Sequence, residues 1–175
     1  MRNRDKLLEV ARTAFTATAG PVSLEGVARE AGVGIGTLYR HFPTREDLVE
    51  AVYATELDEV TNSAAALLRE LPPDAALRAW MGRYAAFFTT KRGMIDTLRA
   101  GWASGRITTP NTRERITAAI AIILTGGAET GSLRTDIDPD DLTIMLLGIC
   151  TAAGDAPDQV SRLLDLIMDA LRTID

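Results

Sequence analysis

The chain has 175 residues, of which 46% are hydrophobic and 25% are charged, and this length allows a sizeable core in one or two domains. The composition excludes a largely disordered or collagen-like chain. No stretch approaches the roughly 18 consecutive apolar residues of a membrane helix, and no signal peptide is recognisable at the N-terminus. We therefore expect a soluble cytoplasmic protein without a membrane partner.

The net charge of −5 is unevenly distributed. Residues 1–50 carry seven Lys/Arg and seven Asp/Glu and sum to zero, whereas residues 51–175 carry 12 and 17 and contribute the entire −5. The sequence thus places a neutral head with local basic positions on an acidic body. This distribution weakens the objection that an acidic protein should not bind nucleic acid.

Residue types that carry catalysis or bind metals are scarce. The single cysteine, Cys150, excludes an intramolecular disulfide and a cysteine-based zinc site, and the single histidine, His41, argues against a His-rich metal site or a triad. The aspartates in residues 136–141 resemble a metal-binding run, but their spacing is better explained as a capped helix start. We expect no enzymatic activity, no metal and no cofactor.

Apolar residues recur at helical spacing along the chain, and no segment shows the alternation expected of a strand. Prolines, glycines and capping residues mark the helix ends. The sequence predicts an all-α fold with about nine helices, over residues 3–19, 24–31, 35–41, 45–70, 74–91, 94–103, 110–130, 139–153 and 157–173.

Several helix starts carry a specific chemical signal. Ser23 and Thr44 have hydroxyl groups that accept an otherwise unpaired backbone N–H, and Asp47 completes a capping-box-like pair with Thr44. Thr109 and Asp138 each precede a proline at the first helical position, which is a favoured arrangement. These signals predict where four of the helices begin.

Residues 23–41 have the size of a helix-turn-helix, in which the second helix lies in the major groove of DNA. The exposed face of that helix must therefore be short and unobstructed. Gly34 and Gly36 fall on this face, although a glycine within a helix costs about 1 kcal/mol relative to alanine. Close approach to DNA provides a reason for both glycines.

The segment from Ser23 to Leu48, and above all Gly-Thr-Leu-Tyr-x-His-Phe at residues 36–42, closely resembles the DNA-binding domain of TetR/AcrR-type transcriptional regulators. The resemblance covers about residues 5–55. Residues 90–94 and 131–142 look like the ligand-binding half of one TetR subgroup. The resemblance implies a three-helix helix-turn-helix domain over residues 1–50 and a helical ligand-sensing and dimerisation domain over residues 51–175.

The resemblance also implies a DNA-binding surface on and beside the second short helix. Its members are Ser23, Gly34, Ile35, Gly36, Thr37, Tyr39, Arg40, His41 and Arg45. Ile35 is an apolar residue at a position where family members often contact bases. It can touch a thymine methyl group but cannot form a bidentate hydrogen bond to a base. Ser23 is equally explained as a helix cap alone, and Arg2 and Arg4 are either a minor-groove arm or a disordered tail.

Aromatic and sulfur-containing side chains concentrate between residues 80 and 102, where both tryptophans lie. They either form plain core or line a mostly apolar ligand pocket. The candidate pocket residues are Trp80, Tyr84, Phe87, Phe88, Met94, Leu98 and Trp102. The family resemblance favours a pocket for a small molecule without identifying it.

The last two predicted helices are apolar over more than one stripe. One stripe should face the core, and the other should form a two-fold, four-helix interface with a second copy. The candidate interface residues are Leu142, Met145, Leu146, Ile149, Leu163, Ile167 and Leu171. Gly148 and Ala152 would allow the helices of the two copies to approach closely.

These observations predict a homodimeric, ligand-responsive transcriptional regulator. Its partners are double-stranded operator DNA, a small-molecule effector and a second copy, and the simplest version is a repressor released from a palindromic operator by an apolar or amphipathic effector. The sequence does not identify the operator, the effector, the regulated genes or the sign of regulation. The alternative is a helical small-molecule binding protein with a degenerate DNA-binding head. It is suggested by the small number of side chains on the second short helix that can form hydrogen bonds to bases.

Overall fold

The computed structural model describes residues 2–17, 22–108, 111–154 and 156–173, and most of these residues are helical. The helices are α1 (Arg2–Ala17), α2 (Leu24–Glu30), α3 (Ile35–His41), α4 (Arg45–Glu70), α5 (Pro73–Gly93), α6 (Ile95–Ala103), α7 (Thr112–Thr130), α8 (Pro139–Ala152) and α9 (Pro157–Leu171). Within the described ranges the only extended pairing is an isolated antiparallel bridge between Leu133 and Arg172. The predicted all-α fold is confirmed.

Three predicted helix starts are capped as their sequences indicate. The hydroxyl oxygen of Ser23 accepts the backbone N–H of Gly26 at 3.1 Å. Thr44 and Asp47 form a reciprocal pair, in which the Thr44 N–H donates to Asp47 Oδ2 at 2.8 Å and the Asp47 N–H donates to Thr44 Oγ1 at 3.2 Å. Asp138 accepts a backbone N–H at the start of α8 at 2.8 Å. These caps pair N–H groups that the first helical turn leaves without a partner.

Most of the described helix boundaries lie within one residue of those predicted, and three differ by two residues. Helix α9 ends at Leu171, two residues earlier than predicted. Helix α5 includes Gly93 as its last residue instead of ending before it. Helix α7 begins at Thr112, two residues later than predicted. The predicted cap and proline of that helix at 109–110, and the predicted end of the first helix at 18–21, lie outside the described residues.

The chain packs as two compact units that are each discontinuous in sequence. The first unit comprises Met1–Glu56 and Thr89–Pro110, and the second comprises Leu57–Phe88 and Asn111–Asp175. The first therefore contains α1–α3, the start of α4, the last turn of α5 and α6. The predicted domain boundary at residue 50 stays a prediction.

The core of the first unit is built around fully buried side chains of α1, α3, α4 and α6, including Leu7, Leu38, Leu48 and Leu98. The end of α5 passes directly against the backbone of α1. A Cβ atom added to Gly93 would lie 1.9 Å from the carbonyl oxygen of Phe15, a distance that no side chain can occupy. Only glycine permits this packing.

In the second unit Trp80 is completely buried, and its indole Nε1 donates to the carbonyl oxygen of Val60 at 2.9 Å. Helices α7 and α8 pack side by side, with the hydroxyl groups of Thr117 and Thr143 at 2.9 Å. Among the described helices, none has the length and apolarity required to cross a membrane.

Candidate DNA-binding surface, aromatic clusters and apolar face

Helix α3 presents one face to the core and the opposite face to solvent. Leu38 is fully buried and Phe42, which follows the helix, is 2% exposed, so these two side chains anchor α3. Thr37 is half-buried. The other predicted contact residues on or beside α3 are exposed: Gly34, Ile35, Gly36, Tyr39, Arg40 and His41. Six predicted DNA contacts thus share one accessible surface.

The two glycines of this surface are not required by packing within the chain. A Cβ atom added to Gly34 or to Gly36 would meet no heavy atom within 4 Å. Alanine would therefore fit at both positions and would favour the helix at Gly36. The space beside these glycines is available for a molecule outside the chain, as expected if α3 approaches DNA closely.

Ser23 is exposed but already has local partners. Besides accepting the Gly26 N–H, its hydroxyl group donates to Glu25 Oε2 at 3.0 Å. A hydrogen bond from the backbone of Glu25 and this one from Ser23 hold the pKa of the Glu25 carboxylate below its ordinary value. The structure therefore favours the capping role of Ser23, and its contact with a phosphate stays a prediction.

Arg45 differs from the other predicted DNA contacts because its guanidinium group is engaged inside the first unit. Nη1 donates to the carbonyl oxygen of Val22 at 2.6 Å, and Nε donates to Thr97 Oγ1 at 3.3 Å. The guanidinium carbon also lies 5.8 Å from the ring centroid of Phe15. These contacts tie the start of α4 to α6 and to the loop before α2, so the observed role of Arg45 is structural.

The N-terminal arginines were expected to form an arm or a disordered tail. Arg4 instead belongs to α1, and its guanidinium carbon lies 5.5 Å from the ring centroid of Phe42. This geometry permits a cation–π interaction. Arg4 is thus part of a helix and belongs neither to an extended arm nor to a disordered tail, and the side chain of Arg2 lies outside the described atoms.

The predicted pocket residues divide between the two compact units. In the second unit, Trp80 stacks on Tyr84 with ring centroids 5.8 Å apart, and Tyr84 lies 6.2 Å from the ring of Phe87. These three side chains are buried, and Phe88 is half-buried. They form an aromatic row along α5.

The remaining three, Met94, Leu98 and Trp102, belong to the first unit. Met94 and Leu98 are buried, whereas Trp102 is half-buried and lies edge-on to Tyr53 with centroids 6.2 Å apart. The Lys91 ammonium group lies 5.7 Å from the Tyr53 centroid and 5.9 Å from the Trp102 centroid. Sequence reasoning missed Tyr53 and Lys91, because they lie on α4 and α5 rather than beside Trp102 in the chain. A ligand pocket lined by the seven predicted residues stays a prediction.

The predicted dimer-interface residues on α8 and α9 need revision. Leu142, Leu146, Ile167 and Leu171 are each at most 6% exposed. They are core residues of the subunit and have almost no surface left for a partner. Ile149 and Leu163 are half-buried, and Met145 is 49% exposed.

A different stripe of these helices is exposed and apolar. We call Ile144, Met145, Leu147 and Leu166 the apolar face. Their side chains are 51%, 49%, 46% and 64% exposed. Gly148 adjoins them on α8, where an added Cβ would meet no heavy atom within 4 Å. Sequence periodicity identified two apolar stripes but assigned most interface residues to the buried one.

The aspartates of residues 136–141 are engaged in local structure. Arg134 donates two hydrogen bonds to Asp136, at 3.0 and 2.8 Å, and Arg113 donates two to Asp140, at 2.9 and 2.5 Å. These hydrogen bonds hold the pKa values of both carboxyl groups below their ordinary value. In the described part of the chain, no group of three or more His, Cys, Asp and Glu side chains is arranged to hold a metal ion.

Comparison with known proteins gives two family matches. Residues 7–52 match the model of bacterial regulatory proteins of the tetR family, and residues 72–173 match the SbtR-like transcriptional regulator C-terminal domain. Curated HTH-type transcriptional regulators of Staphylococcus aureus are 39% identical over 57 residues. That match spans 32% of this chain and 31% of the length of those relatives.

Solved structures match over nearly the whole chain. A TetR transcriptional regulator from Streptomyces coelicolor is 44% identical, with a TM-score of 0.90 over 98% of this chain and 99% of that one. A TetR transcription regulatory protein from Mycobacterium vanbaalenii is 29% identical, with a TM-score of 0.78 over 98% of this chain and 96% of that one. The chain belongs to the TetR family of DNA-binding transcriptional regulators, which confirms the resemblance inferred from residues 23–48.

Proposed function

We propose that the protein is a homodimeric repressor that binds a palindromic operator and is released from it by a small apolar or amphipathic effector. The observation that carries the DNA-binding part is the exposed face of α3, where Gly34 and Gly36 leave open space that packing within the chain does not explain. Arg40 and His41 provide cationic and hydrogen-bonding groups on the same surface for phosphate or base contacts.

The apolar face supports the dimer. Full burial of a large aliphatic side chain contributes roughly 1.5–3 kcal/mol, so each half-exposed member retains roughly 1 kcal/mol to gain on association. Because a two-fold axis brings one surface against its own copy, an apolar face can cover itself in a dimer. Gly148 supports close helix approach, since it leaves the adjoining surface of α8 flat.

A two-fold dimer also explains how a short and weakly charged recognition surface becomes specific. Two copies of α3 about 34–36 Å apart would meet successive major grooves and read the two half-sites of a palindrome. The acidic residues after position 50 limit non-specific attraction to DNA, which depends on phosphate neutralisation.

The effector part follows from the family and from the aromatic clusters of α5 and α6. An effector releases the operator only if it binds more tightly to the conformation that fits DNA poorly. We therefore propose that a small molecule contacts aromatic residues of the predicted pocket and that its binding and operator binding oppose each other.

The test combines DNA affinity with oligomeric state. We expect the purified protein to sediment as a dimer and to prefer DNA from upstream of its own gene over unrelated DNA by at least about 10³-fold at physiological salt. Ile144→Asp and Leu166→Asp should yield monomers with strongly reduced operator affinity. Leu71→Asp is the matched control, because Leu71 is a similarly apolar residue, 37% exposed, outside α8 and α9.

Each part of the proposal has its own contradicting result. Operator binding by a wild-type monomer, or dimers of both the Ile144 and Leu166 variants, would overturn the proposed interface. Equal and weak affinity for all genomic DNA fragments, measured across the protein's own genome, would overturn the operator proposal.

A further inference from the structure

The two tryptophans differ in how their indole N–H groups are satisfied. Nε1 of Trp80 donates to a backbone carbonyl at 2.9 Å. Nε1 of Trp102 is buried, yet it has no hydrogen-bond partner among the described residues. Buried donors in proteins are nearly always paired, so an unpaired one requires an explanation, such as an acceptor that is supplied from outside the chain.

Lys91 places a cation beside this indole. Its ammonium group lies over the faces of both Tyr53 and Trp102, with centroid distances of 5.7 and 5.9 Å. Burial lowers the pKa of Lys91 below its ordinary value, because desolvation disfavours the charged form. The aromatic faces compensate only part of this loss, since cation–π attraction is weaker than pairing with an anion.

Apolar side chains precede Trp102 on α6. Leu98 lies one helical turn before Trp102 on α6 and is fully buried, and Met94 at the start of α6 is 2% exposed. The buried carboxylate of Glu56 is directed to a different cation, with its Oε1 atom 3.6 Å from Arg12 Nε. A buried donor and a poorly compensated cation therefore adjoin apolar side chains.

We propose that Trp102 and Lys91 form the polar end of the effector site and bind the anionic oxygen of a carboxylate on an otherwise apolar small molecule. The indole N–H donates to one carboxylate oxygen, and the ammonium group balances the single negative charge. A lone ammonium suits a singly charged carboxylate better than a doubly charged phosphate. The inference rests on the proposed ligand response and specifies the chemical class of its effector.

The two indole N–H groups provide a direct test by ¹⁵N–¹H NMR of tryptophan-labelled protein, which should show two indole signals. The probes are 2-naphthoate and octanoate, each compared with its neutral primary amide. We expect the carboxylates to shift the Trp102 signal downfield while the Trp80 signal stays in place. The amides should bind at least about 10-fold more weakly.

Variants separate the charge from the hydrogen bond. Lys91→Met keeps an unbranched apolar side chain and should reduce carboxylate affinity at least 10-fold with little effect on the amides. Lys6→Met is the matched control, because Lys6 is the other lysine of the chain and is exposed on α1. Trp102→Phe keeps an aromatic ring without the N–H and should also weaken carboxylate binding. Circular dichroism of each variant verifies that it is folded.

The inference is overturned if no probe shifts the Trp102 signal, if acids and amides bind equally, or if Lys91→Met binds carboxylates like the wild type. The same samples are assayed for operator affinity with and without each probe. Specific operator binding without any response of Trp102 would leave the regulator intact and reject only the carboxylate site. A Trp102 response without specific operator binding would reject the proposed repressor and retain the site.

Discussion

Replacing Gly36 with alanine should separate the stability of α3 from its access to DNA. The added methyl group meets no heavy atom within 4 Å, so the folded subunit gains helix propensity without strain. Alanine is favoured over glycine in a helix by roughly 0.5–1 kcal/mol. For a chain of this size, 1 kcal/mol corresponds to a change in Tm of about 2–4 °C. We therefore expect Gly36→Ala to raise Tm by about 1–4 °C.

The same methyl group should weaken operator binding. If the open space at Gly36 is filled by DNA, each inserted methyl overpacks that contact at a cost of roughly 1–3 kcal/mol. A dimer carries two such contacts, so the low end of this range already amounts to about 2 kcal/mol. That free energy corresponds to a loss of affinity of about 30-fold.

The assay compares Gly36→Ala with Gly82→Ala. Gly82 is exposed in α5, and its added Cβ would meet only the end of the Arg78 side chain, at 3.9 Å. Both variants should therefore gain similar thermal stability, measured at equal protein concentration because dimers make Tm concentration-dependent. Only Gly36→Ala should lose affinity for the operator, as measured by fluorescence anisotropy.

Two results would refute this reasoning. Unchanged operator affinity of Gly36→Ala would show that the open space on α3 is not occupied by DNA. A lower Tm of Gly36→Ala, with the expected increase for Gly82→Ala, would show that the surroundings of α3 are more crowded than the structure indicates.

Three further substitutions test the roles of individual residues. Ser23→Asp keeps an oxygen that caps the helix, but its carboxylate cannot donate to Glu25 and repels it, so we expect a small decrease in Tm together with weaker DNA binding through repulsion of phosphate. Ser23→Ala should lose about 1 kcal/mol of stability, and unchanged operator affinity of the aspartate variant would leave Ser23 as a cap alone. Arg40→Met should reduce the slope of the logarithm of the operator association constant against log salt concentration by about 1 per subunit. Arg45→Met should lower Tm and leave that slope unchanged, because its guanidinium group is engaged within the subunit. The opposite pattern would contradict the inward position of Arg45. Gly93→Ala should lower the free energy of unfolding by at least about 1–3 kcal/mol, because the added methyl group collides with the Phe15 carbonyl oxygen. Denaturant unfolding identical to that of the wild type would disprove this close approach.

Most helix boundaries could be predicted because their signals are local. Ser23, Thr44 and Asp138 cap helices through N–H groups within three residues in the chain, so the nearby sequence contains both partners. The start of α7 was displaced in the prediction because it follows Asn111, which makes no side-chain cap hydrogen bond. A helix start without such a bond leaves a weaker pattern in the sequence.

The division between core and apolar face on α8 could not be predicted in the same way. Leu146 and Leu147 are adjacent and chemically identical, yet one is fully buried and the other 46% exposed. Packing against α7 decides which stripe is covered, through contacts such as the one between Thr117 and Thr143, 26 residues apart. Helical periodicity gives the number of apolar stripes on a helix but does not show which of them a neighbouring helix covers.

The same limit applies to single side chains of the candidate site. The family motif includes Arg45 but does not reveal that its guanidinium group reaches Val22 and Thr97. Trp102 was identified as an aromatic pocket candidate, but its unpaired N–H and its contact with Lys91 depend on the meeting of α5 and α6. Such relationships require the three-dimensional arrangement.

The discontinuity of the first compact unit determines how this regulator could be recombined with its relatives. A chimera that exchanges only residues 1–56 would set a foreign α1 against the native segment 89–110. The Gly93 contact with Phe15 and the hydroxyl pair of Thr16 and Thr90, at 3.0 Å, would then depend on residues of different parents. Transfer of operator specificity between family members therefore calls for two crossover segments, with residues 89–110 moved together with the head.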